Sequence, residues 1–246
     1  MLSLDSIAFD DAGLHLQSED ERTRAWSLAT GPVVELSLRR VAPAFSAPLD
    51  EPENLGKAFR LMTAQQGAGL VEFSVITVDG YPALRTIVKT IQDQQTGWGR
   101  SYLGAIHIPF QDFSFLLKAQ SQELGMTGVR ETVVLDRLLG AGRLRFRFEQ
   151  DGTPAPRRIL GPADMHGWLV DAADPTPLHL ARNVAEDPQY DSEFPDHPLS
   201  EVRAFLNRVH PSIRIAHDVK ATCLPWVPAR RRPWWRWWRS GARGLT

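Results

Sequence analysis

Val71-Glu72-Phe73-Ser74-Val75-Ile76-Thr77-Val78-Asp79-Gly80-Tyr81-Pro82-Ala83 is the stretch that decides the fold. Its first five residues alternate apolar and polar side chains, the period-two pattern of a strand with one wet face. Ile76 and Val78 carry the run on to Asp79-Gly80, a turn dipeptide, with Pro82 just beyond. The return strand, residues 83–91, completes a hairpin with Arg85 and Lys89 on one face and Leu84 on the other. A third strand follows at Ser101–Phe110, ended by Pro109, which has no N–H to give to a ladder. Asp112–Gln120 makes a fourth. The connections are short, whereas parallel pairing needs crossovers of about a dozen residues or more, so the strands form an antiparallel meander. Upstream, Val34–Arg39 alternates in the same way.

Two helices flank this sheet. Glu51–Gln66 spaces Leu55, Phe59 and Met62 as one apolar stripe and stops at Gly67 and Gly69. Thr127–Leu139 is the second, with Thr127 as its cap and Val129, Val133 and Leu138 opening its buried side. The expected fold class is α+β, an antiparallel meander sheet with flanking helices that cover one face. From Gly140 to Asp196 prolines arrive at close intervals and periodicity is weak. Only 167–170 and 178–184 are ordered by pattern, and Trp168 and Tyr190 point to partial burial. Pro198 opens a helix carrying Leu199, Val202, Leu206 and Val209, capped by Asp196. A short strand at Ile213–Ala216 closes the body. The expected division is a single α+β domain over 1–228 (sheet and helices 1–140, irregular cover and helix 141–228) and a basic tail over 229–246.

At 43% apolar residues, the 246-residue chain has material for one large core or two small ones. A single cysteine, Cys223, excludes an internal disulfide framework. Asp5, Asp10 and Asp11 interrupt the place of a signal-peptide core, and no apolar run approaches the roughly 20 residues that span a bilayer. The reading is a cytoplasmic protein. Its net charge of −1 hides a polarity, because residues 1–218 carry 21 basic and 29 acidic groups and the remainder is purely basic.

Standard catalytic constellations are missing: no serine elbow, no HExxH, no phosphate loop. Gly140-Ala141-Gly142-Arg143 follows a helix, where glycine serves the C-cap. Seven histidines (His15, His107, His166, His179, His197, His210 and His217) show no ligand spacing on one element. Five carboxylates fall within Glu186–Asp196, yet without calcium-loop spacing. No metal, no cofactor and no catalytic residue is therefore expected. An enzyme would need a deep pocket holding Arg130, Glu131 and a histidine. Gly125-Met126-Thr127-Gly128-Val129-Arg130-Glu131 offers Arg130 and Glu131 as either an anion site or a structural clamp. The clamp is favoured, since caps are common and anion sites few.

The sharpest signal lies at the C-terminal end. Pro225, Pro228 and Pro233 prevent one long helix, so Arg230, Arg231 and Arg232 are extended. A helix opening at Pro233 would gather Trp234, Trp235, Trp237 and Trp238 on an arc of about 160°, with Arg236, Arg239 and Arg243 opposite. Indoles favour the headgroup level of a bilayer, and each arginine near anionic lipid contributes about 1 kcal/mol. Residues 230–239 are thus read as the binding segment. The first partner is an anionic membrane surface, giving peripheral attachment at the inner membrane. The second is a protein partner, with the body as an adaptor or immunity-type protein using its sheet face. Single-stranded nucleic acid, which arginines alternating with aromatics can bind, ranks third; the −8 body opposes it as it opposes an anionic membrane.

The residues Val78-Asp79-Gly80-Tyr81-Pro82-Ala83, Thr86-Ile87-Val88-Lys89, Tyr102-Leu103-Gly104, Ile108-Pro109-Phe110, Phe113-Ser114 and Gly125–Glu131 resemble a bacterial protein family of unassigned function. The resemblance extends to Phe194-Pro195-Asp196-His197-Pro198-Leu199-Ser200 and covers about residues 70–210. More distantly, the helix-then-meander order is similar to the Mog1/PsbP-like α/β/α sandwich, a class of binding and assembly modules. Together these resemblances imply a non-enzymatic module and supply no catalytic residue.

Overall fold

A computed structural model describes residues 2–92, 99–146, 165–171 and 174–226. In chain order the strands and α-helices are β1 (Ile7–Ala8), β2 (His15–Glu19), β3 (Thr23–Ser27), β4 (Val33–Arg39), α1 (Pro52–Gln65), β5 (Gly69–Val78), β6 (Tyr81–Ile91), β7 (Arg100–Pro109) and β8 (Ser114–Gln122). They continue with α2 (Val129–Gly140), β9 (Arg145–Phe146), β10 (Met165–His166), α3 (Pro198–Val209), β11 (Arg214–Ile215) and α4 (His217–Thr222). Seven strands form one antiparallel sheet in the order β2-β3-β4-β8-β7-β6-β5. The architecture is α+β. The deciding hairpin pairs Val78 with Tyr81 around Asp79-Gly80, both at positive φ as a two-residue turn requires. Among the described residues no helix is long and apolar enough to cross a membrane.

The helices do not share one face of the sheet, contrary to the sequence reading. Phe73 of β5 pairs with Thr86, which pairs with Ala105 of β7, so these three point the same way. α1 lies on that side, with Gly56 against the Phe73 ring and Leu55 in a cluster with Leu84 and Phe73. α3 lies on the other side, directly over Gly104, where an added Cβ would stand 2.5 Å from Val202 Cγ1 and 2.8 Å from Leu206 Cδ1. Leu199, Val202, Leu206 and Val209 are fully buried against Tyr102, Ile106 and Ile108. Burial on this scale stabilises by about 1.5–3 kcal/mol per large apolar side chain.

Two apolar stripes differ from expectation. In α1 the buried line runs through Leu55 and Thr63, and Met62 is exposed. In α2 the buried face is Arg130, Val134 and Leu138, while Val129 and Val133 face outward. The face is turned by one residue because an arginine occupies the interior. Caps differ as well. α2 begins at Val129 after Gly128, which sits in the left-handed region at φ 71° with no side-chain cap, so Thr127 does not cap it. α3 is capped by the His197 ring rather than by Asp196. β2 and β3 were not legible as strands; β2 is exposed along its whole length and offers no alternation.

Candidate functional site

Buried charge is concentrated at one end of the α3 face. Register places Lys89 of β6 opposite Tyr102 of β7, and Tyr102 opposite Ser121 of β8. Lys89 and Tyr102 are buried, under a roof formed by residues 180–191. Lys89 Nζ donates to Glu186 Oε1 at 2.6 Å and to the Ala181 carbonyl at 3.0 Å. The Tyr102 hydroxyl donates to the same Glu186 oxygen at 3.4 Å. Glu186 Oε2 accepts from the Asn183 N–H, so this fully buried carboxylate is used on both oxygens. Burial, with Glu186 next to it, pushes the Tyr102 hydroxyl well above its ordinary range.

Arg130 has no exposed surface. Its Nε donates to the Ala185 carbonyl at 2.6 Å, Nη1 to Ser200 Oγ at 2.8 Å and Nη2 to the Asp187 carbonyl at 3.0 Å. Nη1 also lies 2.9 Å from Asp191 Oδ1. Arg203 of α3 reaches the same carboxylate at 2.8 Å and donates to Glu72 and to the Glu186 carbonyl. The two guanidinium groups therefore tie α2, α3 and β5 to the roof. The carboxylates of the 186–196 stretch are dispersed: Glu186 to Lys89, Asp191 to the two arginines, and Glu193 to Arg137, with Asp187 accepting from the Gln189 N–H. They do not converge on one point.

Glu131, next to Arg130, points elsewhere. It gathers with Glu123, which follows β8, and with His197 ahead of α3; one ligand atom of each lies within 4.8 Å of the others. Glu123 accepts from two backbone amides, Gly128 N at 2.9 Å and Arg100 N at 2.8 Å. His197 Nδ1 accepts from Leu199 N–H at 3.2 Å, so in the neutral ring the proton sits on Nε2, 3.8 Å from Glu123 Oε1. Burial, with the positive Arg130 alongside, lowers the His197 pKa to about 3. Burial, then Glu186, raises that of Glu131.

Two cavities open beside these groups. One, of about 400 Å³, is walled by Glu123, Arg130, Phe194 and His197. The other, of about 340 Å³, is walled by Lys89, Tyr102, Glu123, Glu131 and His179. Neither is lined by Arg130, Glu131 and a histidine together. The sequence reading singles out Arg130 and Glu131 and weighs Glu186 and His197 only within the acidic stretch and among the seven histidines. It gives no site role to Lys89, Tyr102, Glu123 or Arg203, whose side-chain partners include residues distant in the chain.

A third cavity, of about 730 Å³, lies between α1 and the segment Val41–Ser46, walled chiefly by Pro43, Phe45, Phe59, Leu61 and Met62, with His107 at its base. The chain's last described residue, Trp226, sits beside it. Its Nε1 donates to the Pro43 carbonyl at 3.0 Å, and its ring meets Phe45 edge-on at 4.9 Å. Arg230, Arg231, Arg232, Trp234, Trp235, Arg236, Trp237, Trp238 and Arg239 lie outside the described residues. Neither the scan against family models nor the search of curated proteins returns a match for this chain.

Proposed function

We propose that this chain is a non-catalytic cytoplasmic α+β module held peripherally at the inner membrane face by its C-terminal Trp/Arg segment. The carrying observation is the sequence of that segment: on a helical wheel begun at Pro233, four indoles would fall on one side and Arg236, Arg239 and Arg243 on the other. The body's geometry supports the reading in one respect. The chain leaves the body at a fixed point, since Pro225 bridges Phe110 and Trp226 is held by Pro43 and Phe45. Around that point Val41, Leu61, Met62 and Leu224 present apolar side chains to the surroundings. A segment leaving there carries an apolar rim to the membrane with it.

The test is flotation of the full chain with vesicles containing anionic lipid, compared with a chain ending at Pro228. The full chain is expected to float, less so as salt is raised, because each arginine contributes about 1 kcal/mol through a screened interaction. Equal flotation of the two chains overturns the proposal. A second reading, capture of a protein partner, draws on the apolar cavity between α1 and Val41–Ser46. It predicts that the shortened chain keeps its partner and that vesicles do not compete.

A further inference from the structure

We propose that Glu123, Glu131 and His197 form a site for a divalent transition-metal ion of the zinc, cobalt or manganese class. Three observations converge on it. First, the ligand atoms of the three side chains already lie within 4.8 Å of one another, whereas a tetrahedral ion at about 2.1 Å separates its ligands by about 3.4 Å, a modest rotamer adjustment away. Second, two of the three side chains carry an orphaned polar atom. His197 Nε2 and Glu131 Oε2 are both sealed from solvent and have no hydrogen-bond partner, and the His197 side chain is only 8% exposed. A buried polar atom left without a partner carries a desolvation penalty that a bound ion removes. Third, the charges do not balance locally. Among the described residues three neighbouring carboxylates are paired: Glu186 with Lys89, Asp191 with Arg130 and Arg203, and Glu193 with Arg137. Among the described residues no ion pair joins Glu123 or Glu131 to a lysine or arginine, and Lys89 acts on Glu131 only at longer range.

The donor set fixes the class of ion. One imidazole and two carboxylates suit a borderline metal, while calcium and magnesium favour all-oxygen surroundings. The amides of Gly128 and Arg100 hold the Glu123 carboxylate from behind, as outer partners do in metal sites. Three protein ligands leave at least one position open, and Glu123 stands in the walls of both adjoining cavities, so an ion has a route in and a further ligand has room.

Coordination has a structural consequence specific to this chain. It needs the Nε2 lone pair, so the ring proton moves to Nδ1, and the Leu199 N–H loses the acceptor that caps α3. Binding and the start of α3 are therefore coupled.

The experiment uses the full, tag-free chain after treatment with a chelator. Titration with zinc chloride, followed by calorimetry, and with cobalt chloride, followed by its visible absorption, is expected to give one saturable equivalent. Magnesium and calcium chloride are expected to give none. Glu131→Gln and Glu123→Gln are expected to weaken zinc at least about tenfold, the loss seen even for outer partners. His197→Asn, which retains a capping side chain for α3, is expected to do the same. In the unsubstituted chain the Leu199 amide resonance should shift with zinc and not with magnesium. Lack of saturable binding, or variants that bind as the parent does, overturns the proposal. If a variant fails to fold, the Leu199 resonance decides: no shift at saturating zinc equally overturns it.

Discussion

His107→Phe isolates one buried imidazole and turns its environment into a measurable pH dependence. His107 lies in β7 at the base of the apolar cavity, edge-on to Phe45 at 5.3 Å, with Nε2 sealed from solvent and unpartnered. Burial, with a smaller contribution from the positive Arg39, lowers its pKa to about 4. The unfolded chain returns the ring to about 6.5. Because the folded pKa is the lower one, the unfolded state binds more protons between these values, and stability falls as pH drops through that window. With one pKa unit equivalent to about 1.4 kcal/mol, the loss is about 2 kcal/mol from pH 7 to pH 5 and about 3 kcal/mol by pH 4. Glu131, whose folded pKa is raised, acts in the opposite sense, favouring the folded state as pH falls. Asp79, held low by the Ile215 amide and Lys220, adds to the acid loss. Both are present in parent and variant, so they cancel in the difference. Phenylalanine keeps the edge contact with Phe45 and removes both the titration and the unpaired nitrogen. Urea unfolding of both proteins at pH 7, 6 and 5 should show the curves separating by about 2 kcal/mol toward acid. A constant separation across that range would refute the assignment of the acid sensitivity to this ring.

Two further perturbations probe the roof over the buried charges. At Gly69 an added Cβ would stand 1.9 Å from the Leu180 carbonyl oxygen and 3.3 Å from the Lys89 side chain, so Gly69→Ala must push the 177–181 turn outward. We expect a loss of about 1–3 kcal/mol with faster proteolysis in that turn; unchanged denaturation and digestion would contradict the close approach. Lys89→Met leaves Glu186 buried and unpaired and should cost about 3–5 kcal/mol, whereas Lys89→Met combined with Glu186→Gln should recover much of it. A double-mutant cycle measures the coupling, and additive losses would mean that the pair does not act as one.

Polar residues at alternate positions made the first hairpin legible, although the face they mark is the one α3 covers. Glu72, Ser74 and Arg85 break the apolar run at every second position, and the meander from β5 to β8 follows from that period and from short turns. β2 and β3 left no such mark. β2 is exposed on both faces, and in β3 only Trp26 is buried, so nothing alternates. The turned face of α2 has a different cause. A reading by hydropathy assigns arginine to water, but Arg130 saturates its guanidinium with backbone carbonyls, Ser200 and Asp191, and an arginine paired in this way belongs to the interior. The same substitution of pairing for polarity hid Lys89, which hydropathy places on a wet face beside Arg85.

Register nevertheless narrows where the hidden partners lie. Once β6 and β7 pair in the meander, Lys89 and Tyr102 stand side by side on the face that α3 covers, and a lysine and a phenol under a helix both require acceptors. The acceptors found are not the pairing partners in the sheet but the Ala181 carbonyl and the Glu186 carboxylate. Both belong to the segment crossing that face, which carries the acidic stretch Glu186–Asp196. Its composition therefore has a structural reading that spacing rules for metal loops do not reach. Three of its carboxylates, Glu186, Asp191 and Glu193, neutralise cations presented by the sheet and helices, and among the described residues Glu123 and Glu131 have no such ion pair.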